Sequence, residues 1–93
     1  MYVISYDITS DRLRNKVAKI LLGYGRRVQY SVFECRISQK SFEELYKRLA
    51  LIMTDSDEGS IRFYHLCGKC EEEIQELGLP KDDVSDLEDT VII

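Results

Sequence analysis

The chemistry open to this chain starts from a single carboxylate. Asp7 closes the run Tyr2-Val-Ile-Ser-Tyr-Asp7, which is built like a buried strand, and Ile8 follows at once. An acid set between apolar residues must find a hydrogen bond, a cation or water, because burying it bare costs several kcal/mol. Two roles meet that need. Asp7 can serve the turn between a strand and a helix, the commoner use of aspartate there. Alternatively it can offer oxygen to a hard cation such as Mg²⁺, which is often held by one or two carboxylates plus phosphate oxygens and water. The chain places no obvious second acid beside Asp7, but a two-fold dimer would bring a second copy of Asp7 itself.

The second group is cationic. Six basic residues (Arg12, Arg14, Lys16, Lys19, Arg26 and Arg27) stand between Asp11 and Arg27 against one acid. From Glu71 onward there are nine acids and one base, Lys81. Such asymmetry suits a basic face for phosphate and an acidic tail for something else, and it equally suits cations that only solvate the outside of a helix. Arg26 and Arg27 could grip phosphate or could balance the negative end of a helix that stops at the preceding glycines. On a strand, adjacent residues point to opposite faces, so one of the two at most faces a given ligand.

The third group is Cys67-Gly-Lys-Cys70. A structural zinc site usually needs two such pairs or added histidines; His65, the sole histidine, supplies one ligand at most. Cys35 could join only by an accident of folding, so the motif carries little weight as a metal or redox centre. His65 sits in a strand-like run and reads as an edge or half-buried residue, with no nucleophile motif near it. The phosphate-binding glycine loops of nucleotide enzymes are absent.

These residues need a scaffold, and 93 residues allow one small domain. With 44% hydrophobic and 32% charged residues, the composition is that of a soluble globular chain. No apolar run nears the ~18–20 residues of a membrane span. An opening without a basic leader, together with an odd count of three cysteines, sets the cytoplasm as the expected compartment.

The elements follow from periodicity. Tyr2 to Asp7 reads as a strand. A helix starts after Thr9 or Ser10, carries Leu13, Val17, Ile20, Leu21 and Tyr24 on one face, and stops at Gly23 and Gly25, where a left-handed glycine is expected. Val28, Tyr30 and Val32 alternate, and then Phe33, Cys35 and Ile37 alternate on the other phase. That slip means either a bulge or a tight reversal between two strands. A second helix carries Phe42, Leu45, Tyr46, Leu49, Ile52 and Met53, capped by a Ser41-x-x-Glu44 box or by Ser38. Ile61 to Leu66 reads as a strand and the segment from Cys67 to Gly78 as a short helix. An acidic linker then leads to an apolar end, Thr90-Val-Ile-Ile93. The order predicts an α+β sandwich with helices on one sheet face.

Y-D-I at 6–8, D-R-L-R-N-K-V-A-K at 11–19, G-Y-G-R-R-V-Q-Y-S-V-F-E-C at 23–35, R-F-Y-H-L at 62–66 and the closing V-I-I together resemble the CRISPR-associated Cas-two family, over nearly the whole chain. The family's members are small adaptation proteins often described as endoribonucleases. The resemblance implies a ferredoxin-like β-α-β-β-α-β domain over residues 1–80, with an acidic linker and a C-terminal strand over 81–93. It also implies a homodimer across which that strand packs, and a pair of Asp7 residues meeting near the two-fold axis to share Mg²⁺. The family's proposed active-site positions fall here on Tyr6, Asp7, Arg14, Lys16, Arg27 and Phe33. Lys16 stands where some members carry arginine, which keeps charge but loses the two-pronged grip on phosphate. Two activities are implied: metal-dependent endonuclease action on RNA or DNA, with Arg14 or Arg27 neutralising phosphate, and a non-catalytic role as a scaffold holding duplex DNA for the Cas-one integrase. In the scaffold role the stretch from Arg12 to Arg27, with Lys19 and Arg26, would touch the duplex backbone without reading sequence.

Overall fold

Alternation decides the first element. Tyr2, Ile4 and Tyr6 are buried while Val3 and Ser5 are partly exposed and Asp7 is exposed, the period-two signature of strand β1 (Tyr2–Asp7). The computed structural model describes residues 1–54 and 58–78. In chain order β1 is followed by α1 (Asp11–Leu22), β2 (Arg26–Gln29), β3 (Val32–Cys35), α2 (Gln39–Met53), β4 (Ser60–His65) and the single turn α3 (Gly68–Glu71). The acidic linker and the strand expected over 81–93 lie outside the described residues.

The sheet order is β2-β3-β1-β4, and every neighbouring pair is antiparallel. This is the ferredoxin-like arrangement predicted from the element order. The phase slip at Val32 and Phe33 is the tight reversal: β2 and β3 form a hairpin around Tyr30 and Ser31, with a register shift between Arg27 and Gln29.

One sheet face carries the core. Ile4, Val17, Leu21, Phe33, Cys35, Leu45 and Leu49 are all at most 1% exposed and draw on β1, β3, α1 and α2. Each large side chain buried this way contributes about 1.5–3 kcal/mol relative to leaving it in water. At the β4 edge, Tyr2 stacks on Phe42 at 4.1 Å and on His65 at 4.4 Å between ring centroids. His65 is therefore an edge residue held by a ring.

Three local expectations change. Ser38, not Ser41, caps α2: its hydroxyl accepts from the Ser41 amide at 3.1 Å, so the helix begins at Gln39. Gly23 ends α1 in the right-handed region at φ −77°, so the expected left-handed stop is not used. The glycine that matters there is Gly25, where an added Cβ would lie 2.2 Å from the Glu34 carbonyl oxygen; only glycine lets β2 start that close to β3. Finally, α3 spans only Gly68–Glu71, shorter than the acidic stretch suggested, and no helix among the described residues is long and apolar enough to cross a membrane.

Candidate nucleic-acid interface and candidate metal carboxylate

The predicted site residues divide between the two faces of the sheet. Tyr6 and Asp7 are neighbours in β1, so their side chains leave the strand in opposite directions. Tyr6 is 5% exposed among the helix-side residues, whereas Asp7 is exposed on the uncovered side.

On the helix side, Tyr6, Arg14, Arg27 and Phe33 come together at the end of β1. Sequence position alone hid the residue that joins them, Tyr30, at the tip of the β2–β3 hairpin. The Arg14 and Arg27 guanidiniums each lie 5.9 Å from the Tyr30 ring centroid, and Arg27 also lies 5.2 Å from that of Phe33. Phe33 is itself fully buried, so it acts as the floor beneath Arg27. The Tyr6 hydroxyl donates to the Tyr30 carbonyl at 3.4 Å. Burial pushes the Tyr6 phenol above its ordinary range, and the Arg27 charge beside it only partly opposes the rise.

Arg14 is not a solvated helix cation. Its Nη1 donates to the Ile8 carbonyl at 3.1 Å and to Thr9 at 3.4 Å, stapling the β1–α1 junction, and its Nη2 pairs with Asp11. The Asp11 carboxylate holds the guanidinium protonated more firmly still. Yet the Nε atoms of both Arg14 and Arg27 are buried without a hydrogen-bond partner. Those two nitrogens are closed to solvent, so what the cluster offers a ligand is the positive charge of two guanidiniums beside the exposed Tyr30 ring, a surface for an anion and for a flat, electron-rich group. Tyr30 is 65% exposed, which leaves that ring reachable.

The remaining predicted cations are spread more widely. Arg12, Lys16 and Lys19 are exposed on α1 at spacings that place them along one stripe. Arg26 points to the open sheet face, 3.9 Å from the Glu34 carboxylate, and so parts from Arg27 as the strand geometry requires.

The open face is built differently. Asp7 faces Ser60 across β1–β4, and Ser5 faces Arg62. With Tyr64 these residues line a polar recess of about 250 Å³. The Asp7 side chain makes no hydrogen bond or ion pair with any described residue. The hydroxyl that caps α1 belongs to Ser10, accepting from the Leu13 amide at 3.3 Å. Asp7 is therefore not the turn-maker that local chemistry favoured. Nor is Arg14 or Arg27 the cation sharing its recess. That place belongs to Arg62, whose Nη1 donates to the Tyr64 hydroxyl at 3.3 Å. Counting residues from Asp7 on β4 requires the strand register, which the sequence withholds.

Mg²⁺ at Asp7 passes a limited test of fit. The carboxylate is exposed and unpartnered, and hydroxyl oxygens of Ser5 and Ser60 line the same recess. Among the described residues, however, no group of three or more His, Cys, Asp or Glu side chains could hold a metal. The fit is thus that of half a site, in want of a second carboxylate.

A family model described as CRISPR associated protein Cas2 matches residues 1–74. The CRISPR-associated endoribonuclease Cas2 3 of Synechocystis sp. is 59% identical over 68 residues, 73% of this chain and 73% of that relative. The CRISPR-associated endoribonuclease Cas2 1 of Chloroflexus aurantiacus is 43% identical over 77 residues, covering 83% of each chain. Among solved structures, Streptococcus pyogenes Cas2 superposes with a TM-score of 0.71 at 33% identity, covering 83% of this chain and 98% of that one. A chain of a partial Cas6-RT-Cas1–Cas2 complex superposes with a TM-score of 0.73 at 31% identity, covering 86% and 93%.

Proposed function

The chain belongs to the Cas2 family of CRISPR-associated proteins, and from that premise we propose that it works in CRISPR adaptation as a homodimer that binds nucleic acid, with Asp7 of two protomers sharing one Mg²⁺. The observation that carries the reading is Asp7 itself. It is an exposed strand-end carboxylate on the sheet face that none of the described helices covers, and nothing among the described residues of its own chain pairs with it. A second copy docking on that face supplies the missing acid by symmetry.

The two faces then take separate work. Arg14, Tyr30 and Arg27, with the Arg12-Lys16-Lys19 stripe, hold the phosphate backbone through charge and ring contact, independent of sequence. Asp7, with Ser5 and Ser60 beside it, would hold the metal, which when bound polarises phosphate and acidifies a water. Arg62, in the same recess, is placed to orient and neutralise a phosphate there. The edge strand β4 and the apolar groove of about 170 Å³ lined by Tyr46, Leu49, Ala50, Met53, Ile61 and Phe63 suit the apolar C-terminal residues 90–93 of a partner copy.

Wild type and Asp7→Asn are compared with Mg²⁺ on short RNA and duplex DNA. Cleavage by the wild type alone is expected; equal cleavage by both removes Asp7 from the reaction. A second reading, a non-catalytic scaffold holding duplex DNA for a Cas1 partner, is favoured by the likeness to a chain from a Cas1–Cas2 complex and by the single acid per protomer at the recess. It predicts salt-sensitive duplex binding in both proteins, cleavage in neither, and loss of the Cas1 partner when residues after Asp89 are removed.

A further inference from the structure

The C-x-x-C that follows β4 takes no part in either face, and its geometry is specific. Cys67 and Cys70 are both exposed, and their Sγ atoms are 3.4 Å apart, within hydrogen-bond distance for sulfur. Closing that gap to the ~2.05 Å of a disulfide needs only a small side-chain adjustment. The third cysteine behaves oppositely. Cys35 is fully buried in the core, and burial pushes its thiol up to about 11. No third ligand completes a metal site around the pair among the described residues.

We propose that Cys67 and Cys70 form a reversible dithiol–disulfide centre that exchanges two electrons with small disulfides of the glutathione class. Cys67 is the attacking sulfur. The Cys70 backbone amide, chiefly, and then the Cys70 thiol favour its thiolate form, while Cys70 is shifted the other way by the same neighbour. The Cys67 thiolate attacks one sulfur of glutathione disulfide, forming a mixed disulfide and releasing one glutathione thiolate. Cys70 loses its proton to water and attacks Cys67 Sγ, breaking the mixed disulfide and releasing the second glutathione. Two thiols of the protein are oxidised and one glutathione disulfide is reduced to two glutathiones, so protons and electrons balance.

The location gives the reaction a consequence. Glu71, next to Cys70, pairs with the Met1 amino group at 3.1 Å and with Arg36, tying this turn to the start of β1 and the end of β3. A bond between Cys67 and Cys70 would lock the turn from which the acidic C-terminal region departs.

The test equilibrates the full chain in graded mixtures of oxidised and reduced glutathione, then alkylates and weighs it. The expected product has lost two hydrogens, carries no glutathione, retains an alkylatable Cys35 only after denaturation, and reverts with dithiothreitol. Iodoacetamide at neutral pH should label Cys70→Ser faster than Cys67→Ser, because the Cys70 backbone amide that favours the Cys67 thiolate survives the substitution; the reverse order would overturn the assignment of Cys67 as the attacking sulfur. Stable glutathione adducts or disulfide-linked chains in place of the internal bond would overturn the proposal. So would thiols that react only after a chelator is added, which would mean a metal shared between copies.

Discussion

The two faces of the sheet handle charge in opposite ways. On the helix side, Arg14 and Arg27 are fixed by packing: one is stapled to the Ile8 and Thr9 carbonyls, the other lies over Phe33 and Tyr30. On the open side, Asp7 stands in a polar recess without a partner among the described residues. The first arrangement is complete within one chain and ready for a ligand. The second leaves a solvated carboxylate open to something from outside, whether a metal, a phosphate or a second copy. Under the proposed function, the binding surface is built onto the core and the reactive surface is completed by assembly.

The contrast predicts that changes to the buried residues of the helix side disturb stability and changes on the open side do not. Phe33→Ala, which empties the core and removes the floor beneath Arg27, should cost about 3–5 kcal/mol in urea unfolding. A loss below ~1 kcal/mol would mean the cluster is not built on the core as described. Alkaline pH gives the next largest effect. The folded chain keeps the Cys35 proton up to about 11, against an ordinary 9.0, so folding holds more protons than the unfolded state between those values. The contribution of this thiol to stability is therefore full below about pH 9 and is lost as pH rises toward 11, about 2–3 kcal/mol in all. Cys35→Ala should flatten that slope while lowering the baseline.

Tyr30→Ala separates binding from folding on the same side. Its ring is exposed, so stability should hold while affinity for single-stranded RNA or DNA falls by about 1–3 kcal/mol, read by fluorescence anisotropy at fixed salt. Unchanged affinity would remove the ring from the interface. The smallest expected effect is that of Asp7→Asn on unfolding, within about 0.5 kcal/mol, since no described residue depends on the carboxylate. A larger destabilisation would return Asp7 to the role of a turn residue.

Much of this was legible in the residues themselves. The alternation of Tyr2, Ile4 and Tyr6, the α1 stripe and the phase slip at Val32 and Phe33 each follow from one short-range rule, and each element stands where that rule put it. The rule behind the division of the site was legible at Arg26 and Arg27, adjacent strand residues that must face apart, and the same rule separates Tyr6 from Asp7 in β1. What stayed hidden depends on long-range pairing. Arg62 joins Asp7 only through the β1–β4 register, and Tyr30 joins Arg14 only because the hairpin tip folds over the start of α1. The α2 cap shows a smaller limit of the same kind. Ser38 and Ser41 both fit the local cap pattern, and the fold uses Ser38.

The division of labour between the faces is tested most directly by one paired measurement: duplex binding and Mg²⁺-dependent cleavage on wild type, Asp7→Asn and Arg27→Ala at one salt concentration. The account predicts that Asp7→Asn keeps wild-type affinity and loses cleavage, while Arg27→Ala loses affinity tenfold or so, about 1.4 kcal/mol. If Asp7→Asn loses affinity and Arg27→Ala does not, the two faces have been assigned the wrong way round.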